Sequence, residues 1–163
     1  MKNLKVRDLM TEVVLSVHPD DTVETVYDLM HERGIRHLTV VDREGDLVGL
    51  VSHRDLLRYS PIERAEVPLF LVREILRRTR VEEVMTSEVE TAEPDTPAST
   101  AARVMFENKF GCLPVLEGSK LAGILTESDF VRFFCDDAVG QTGAVETARE
   151  GGNARARVLG WFS

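Results

Sequence analysis

The chain has 163 residues, 43% of them hydrophobic and 29% charged, which suits one ordinary globular domain or two small ones around a buried core. Its formal net charge of −8 gains little from a polyanion, so broad nucleic-acid or anionic-membrane binding is disfavoured. Cys112 and Cys135 form no CxxC pair, the first residues lack the apolar run of a signal peptide, and the apolar stretch 67–72 contains Pro68 and is too short to span a bilayer, so a reduced, cytoplasmic chain without membrane insertion is expected.

In chain order, Val6-Arg7-Asp8-Leu9-Met10-Thr11 leads into a short β-branched segment, Val13-Val14-Leu15. Asp21 then opens a helix, with Glu24 three residues later as a capping-box partner. Val23, Val26, Tyr27 and Met30 fall on one face of it. Two strands follow, 37–42 and 47–51, and the continuous apolar run of the second suggests burial on both faces. A short helix runs from Ser52 to about Tyr59. Pro61 and Pro68 bracket a loop, and 69–80 reads as a helix whose Arg73, Arg77, Arg78 and Arg80 form a solvated face.

At Val81 the order begins again. Val81-Glu82-Glu83-Val84-Met85-Thr86 answers the first segment at an offset of 75 residues. Val14 and Val89, Met30 and Met105, Leu38 and Leu113, and Val40 and Val115 keep that offset, which becomes 74 at Gly49 and Gly123 because the second turn is one residue shorter. Thr96 before Pro97 opens the matching helix, whose face Ala98, Ala101, Ala102, Met105 is smaller. Strands at 112–116 and 121–125 and a helix from Thr126 to about Phe134 complete the second copy. A constant offset across several elements implies duplication. The expected class is α/β (α+β), built as repeat 1 over 1–60, a linker with a helix over 61–80, repeat 2 over 81–134, and a tail over 135–163. Five of the eleven glycines lie between Gly140 and Gly160 and no apolar period survives there, so disorder is expected for that tail.

Both copies carry one motif, Gly49-Leu50-Val51-Ser52-His53-Arg54-Asp55 and Gly123-Ile124-Leu125-Thr126-Glu127-Ser128-Asp129. Apolar residues give way to polar ones at a hydroxyl, as where a strand ends in a helix N-terminus. Two readings stand side by side. Ser52-x-x-Asp55 and Thr126-x-x-Asp129 satisfy the capping-box pattern with no ligand at all. They also suit a polar ligand, since the carboxylates of Asp55 and Asp129 can each accept two hydroxyl hydrogen bonds, and helix starts at Ser52 and Thr126 favour an anion. A ligand beside a cap satisfies both.

The duplicated β-α-β-β-α unit resembles a tandem CBS-domain pair, the Bateman module. The resemblance rests on Asp8-Leu9-Met10-Thr11 and its Met85-Thr86 counterpart, on Gly34-Ile35-Arg36-His37-Leu38-Thr39-Val40-Val41-Asp42, and on the two Gly-x-x-[Ser/Thr]-x-x-Asp motifs, and it covers roughly residues 4 to 134. The family's proline after the leucine is present as Pro114 but replaced by Thr39 in the first copy. The resemblance implies two pseudo-symmetric CBS repeats packed through their sheets, two ligand clefts between them, and a homodimeric disc. It also implies a stand-alone regulatory module that binds an adenosine nucleotide (AMP, ADP or ATP) as an energy or metabolite sensor, with an unidentified effector protein. The alternative is a ligand-free dimerisation or interaction scaffold.

By the resemblance, Thr11, Val14 and Ser16 in one copy and Thr86, Val89 and Thr91 in the other line the base pockets. Arg36, His37 and Leu38, matched by Cys112 and Leu113, lie on the central strands, and Ser52, Arg54, Asp55, Thr126 and Asp129 complete the ligand set. The first copy holds Arg36, His37 and Arg54, whereas Glu127 of the second would repel a phosphate. A nucleotide is therefore expected to bind one cleft well and the other weakly. His37 also reads as an ordinary partly buried histidine. His18 and His31 show no ligand spacing, so no metal is assigned, and Cys112 reads as a buried filler. No nucleophile, base and orienting residue gather in one motif, so neither catalysis nor a catalytic cofactor is expected.

Overall fold

Helix α1 (Val23–Arg33) buries Val23, Val26 and Met30 against strands β2 (His37–Val41) and β3 (Leu47–Ser52), followed by α2 (His53–Tyr59). After helix α3 (Leu69–Arg78) the arrangement recurs as α4 (Ala98–Asn108), β4 (Cys112–Glu117), β5 (Lys120–Thr126) and α5 (Glu127–Gln141). A computed structural model of the chain describes residues 4–59 and 68–141. The loop expected between Pro61 and Pro68, and the tail beyond 141, lie outside the described residues.

Strand β1 (Ser16–Val17) pairs in parallel with Thr39–Val40, and β2 runs antiparallel to β3 from the pair His37 and Ser52 onward. Strands β4 and β5 form the equivalent hairpin, from Cys112 opposite Thr126 to Glu117 opposite Lys120. The counterpart of β1 in this half is a single parallel bridge from Ala92 to Val115. The β-branched segment Val13-Val14-Leu15 lies just before the first strand and is not paired itself. Pairing begins at Ser16, whose Oγ lies 2.7 Å from Thr39 Oγ1, while Val13 is 86% exposed.

The helix starts also differ from the sequence expectation. Thr22 caps α1, its hydroxyl accepting from Thr25 N at 3.2 Å, while Asp21 accepts from His18 N at 2.7 Å. In the second half Thr96 likewise accepts from Glu93 N at 3.2 Å, and no side chain caps α4. Asp21 and Thr96 thus close equivalent turns one residue before each N-cap position. Tyr27, placed on the apolar face by spacing, is 48% exposed. Helix α3 stops at Arg78 because buried Thr79 turns extended, and its carbonyl accepts from Val23 N at 3.0 Å. Its arginines are partly engaged, Arg77 Nε donating to Glu24 at 2.8 Å and Arg78 Nε to Glu74 at 2.7 Å. Helix α5 runs past Phe134 to Gln141, since no proline or glycine interrupts 129–139.

The sequence repeats are not the packing units. Val6 and Leu9 are buried in a core with Ala98, Ala101, Met105, Leu113, Val115 and Leu125. Val81 is buried with Val17, Val23, Val26, Met30, Leu38, Val40, Val51 and Leu56. Each leading segment has crossed into the other half. Thr11 exchanges two backbone hydrogen bonds with Ile124 of β5, and Thr86 two with Leu50 of β3, all at 2.9 Å. The crossing explains the motif glycines. A Cβ on Gly49 would stand 2.7 Å from Met85 Sδ and 3.0 Å from Thr86 O, and one on Gly123 at the same distances from Met10 Sδ and Thr11 O. Only a residue without a side chain lets the crossing backbone approach so closely.

Candidate functional site

Two clefts lie on either side of the junction between the halves. The first, about 440 Å³, opens above the Ser52–Asp55 motif. Its walls include Arg36, His37, Arg54 and Asp55 from the first half, Thr86 and Val89 from the crossed segment, and Lys109, Phe110, Gly111, Cys112 and Glu127 from the second. The second, about 300 Å³, opens above Thr126 and Asp129, with Thr11, Val14, Gly34, Ile35, Arg36, His37 and Arg132 among its walls. Both volumes lie at the lower end of the range of about 300–1,000 Å³ usual for small-molecule pockets.

The Ser52 cap is reciprocal, and at Thr126 only the carboxylate side of the cap is formed among the described residues. Asp55 Oδ2 accepts from Ser52 N at 2.9 Å and from Ser52 Oγ at 2.6 Å, and the Ser52 hydroxyl oxygen accepts from Asp55 N at 3.3 Å. Asp129 Oδ2 accepts from Thr126 N and Thr126 Oγ1, each at 2.7 Å. Both readings of the motif therefore meet in the same side chain, one oxygen serving the cap. The other oxygen distinguishes the copies. Asp129 Oδ1 accepts from Arg132 Nη2 at 2.8 Å, and the residue is only 3% exposed. Asp55 Oδ1 accepts no hydrogen bond among the described residues, and the residue lines its cleft.

The helix starts offer less to a phosphate than expected. Ser52 N is taken by Asp55, and His53 N donates to Arg36 O at 2.9 Å. Thr126 N is taken by Asp129, and Glu127 N donates to Gly111 O at 3.2 Å. A phosphate placed there would depend on side-chain cations instead.

Of the expected ligand residues, Arg36, His37, Ser52, Arg54, Asp55, Thr86, Val89 and Cys112 border the first cleft, and Thr11, Val14, Thr126 and Asp129 the second. Four stand outside both. Leu38 and Leu113 are 0% and 2% exposed, turned into the two cores by strand alternation. Ser16 spends its hydroxyl on Thr39, and Thr91 is exposed beyond the cleft wall. The expected split by copy is also revised. Arg36, His37, Gly111 and Glu127 border both clefts, so neither the cations of the first copy nor Glu127 belong to one cleft alone.

Lys109 and Phe110 carried no flag in the sequence. They answer Gly34 and Ile35 at the repeat offset, and that substitution of a cation and an aromatic ring for two apolar positions was the available signal. Lys109 ends α4 in the left-handed conformation at φ 58°, where its counterpart Gly34 sits at φ 63°. Burial, then the charge of Arg36, lowers His37 below its ordinary value of 6.5. Burial, then Glu127, pushes the Cys112 thiol up to about 12, so it is a protonated filler at neutral pH. Among the described residues no helix is long and apolar enough to cross a membrane.

The CBS domain family matches this chain twice, over residues 6–62 and 81–136. An uncharacterized protein of Methanocaldococcus jannaschii is 32% identical over 139 residues, which is 83% of this chain and 33% of that protein. Among solved structures, AcuB from Vibrio cholerae is 33% identical with a TM-score of 0.70, the match covering 85% of this chain and 95% of that one. The protein CBSX2, solved in complex with AMP, is 31% identical with a TM-score of 0.68, covering 82% of this chain and 98% of that one. The chain spans about a quarter to a third of the length of the curated relatives it matches first. Two of these are named as enzymes, and about a quarter of each is matched.

Proposed function

We infer the function from one premise: this chain belongs to the CBS-domain family, as a tandem pair of its domains. On that premise it is a regulatory module that binds an adenosine nucleotide in the Asp55 cleft and reports it by a shift between two shapes of the pair. The observation that carries this reading is Asp55, whose Oδ1 accepts no hydrogen bond among the described residues, lining a cleft that also holds an aromatic ring, Phe110. That oxygen suits a ribose diol and the ring suits a purine. The complex of CBSX2 with AMP supports the ligand class.

Charge narrows the nucleotide. Arg36, Arg54, Arg58 and Lys109 face Asp55, Glu88, Glu90 and Glu127 in this cleft, four cations against four carboxylates. A wall so balanced favours one phosphate over a triphosphate, whose added charge would meet the acidic rim. AMP is therefore the first ligand to test, ahead of ADP and ATP as sensed energy metabolites.

Calorimetry of the whole chain with AMP tests the reading. Asp55→Ala is expected to weaken the stronger site at least about tenfold, as loss of a charged hydrogen-bond partner does. Asp129→Ala is expected to leave that site within a few-fold and to lower stability instead. The scaffold alternative has its own observation, in that both motif carboxylates already accept from the hydroxyl residue's N–H and O–H without any ligand. It prevails if AMP, ADP and ATP give no heat and no rise in melting temperature.

The same reading makes the chain a cytoplasmic homodimer that passes its state to an effector protein. Phe106, Val131 and Phe134, exposed by 84%, 61% and 52%, offer an apolar face on α4 and α5 to a second copy. Sedimentation velocity of Phe106→Asp against the parent chain checks the dimer.

A further inference from the structure

The partition between the two clefts is thin. The His37 ring lies against Gly111 so closely that a Cβ there would stand 2.8 Å from Nε2. Burial and Arg36 keep this imidazole neutral at neutral pH, with Glu127 and Asp55 acting weakly in the other direction. Arg36 and Glu127 flank it, each bordering both clefts.

The cations are divided unequally. The Asp129 cleft has two, Arg36 and Arg132, and Arg132 is engaged by Asp129 at 2.8 Å. Arg36 forms no ion pair among the described residues. The Asp55 cleft borders Arg36 as well, together with Arg54, Arg58 and Lys109. One guanidinium therefore serves two clefts.

Resting on the nucleotide reading above, we propose that Arg36 is a phosphate contact shared by the two clefts, and that sharing it makes them compete for phosphate-bearing ligands. A phosphate in the Asp55 cleft draws Arg36 to its side of the partition. A second phosphate in the Asp129 cleft then meets Glu127 without its cation and the first phosphate across one side chain's thickness. Like charges so placed repel, and one guanidinium cannot pair fully with both. The coupling is reciprocal, since each ligand must lower the other's affinity by the same factor. A ligand without phosphate meets neither obstacle. The number of ligands held thus depends on their charge, and a mixture of adenosine and AMP fills the pair differently from AMP alone.

Calorimetry of the whole chain with AMP and, separately, with adenosine tests this. Adenosine is expected to fill both clefts, and a second AMP to bind at least about tenfold more weakly than the first, within the range usual for coupled sites. In Asp55→Ala the Asp129 cleft is expected to bind AMP about tenfold more tightly than that second event. Adding Arg36→Gln to Asp55→Ala is expected to remove the gain while changing adenosine affinity less than about twofold. If melting shows Asp55→Ala unfolded, Asp55→Asn keeps a cap acceptor and takes its place. Two AMP molecules of equal affinity, one adenosine only, or AMP binding indifferent to Arg36→Gln overturns the shared contact and leaves the nucleotide reading standing. No binding of either ligand sinks that reading, and the shared contact with it.

Discussion

The two clefts have the same backbone and different walls. Each is framed by a Gly-to-Asp motif, a crossed leading segment and the loop after the other half's first helix, and the backbone hydrogen bonds of one recur in the other. The side chains set on that frame diverge. At equivalent positions one cleft alone receives Lys109, Phe110 and Cys112 and the other alone Gly34 and Ile35, while Arg36, His37 and Gly111 border both. Among the described residues Asp55 Oδ1 has no partner, where Asp129 Oδ1 accepts from Arg132. Duplication thus preserves what holds the chain together, while the residues that would choose a ligand vary independently.

The largest expected effect tests the shared frame. Gly49→Ala and Gly123→Ala each force a Cβ against a crossing backbone oxygen at 3.0 Å, which cannot swing aside as a methionine tip can. Each is expected to cost about 1–3 kcal/mol, the usual range for overpacking. Thermal denaturation should give similar losses for the two, and a loss at one glycine alone would break the pseudo-symmetry of the frame. A smaller effect tests the divergence. Lys109→Gly relieves a left-handed residue and is expected to stabilise the chain by about 1 kcal/mol. The same change should weaken AMP several-fold in the Asp55 cleft and leave adenosine unchanged. Stabilisation without loss of AMP affinity would remove Lys109 from the phosphate contacts.

The smallest effect concerns the partition. The folded state holds His37 below 6.5, so above 6.5 it is neutral folded or unfolded and contributes no pH dependence. As pH falls below 6.5 the unfolded chain takes up the proton first, and stability declines until the folded-state value is passed. Denaturant midpoints of the parent and His37→Gln between pH 5 and 8 should differ by this decline. Parallel curves would place His37 in water rather than between the clefts.

Much of this was legible in the sequence. The offset of 75 residues located both hairpins and both motifs, and the CBS resemblance gave the fold. Strand ends agreed within a residue because apolar runs and turn glycines mark them locally. Caps were less legible, since Asp21 and Thr96 sit one position from where a cap would be and close a turn instead. The cleft walls were only partly so. Leu38 and Leu113 share a strand with lining residues but point to the opposite face, and Lys109 and Phe110 meet Asp55 only through the other half.

By itself the sequence determined the duplication, the order of elements and the paired Gly-to-Asp motifs, because repetition, periodicity and capping are local along the chain. Only the tertiary structure decided that the leading segments exchange halves, that the motif glycines exist for that crossing, and that Arg36, His37 and Glu127 border both clefts. Those facts arise from contacts between residues far apart in the chain, such as Leu50 with Thr86 and Thr11 with Ile124, and no local pattern encodes which copy a segment will pack against.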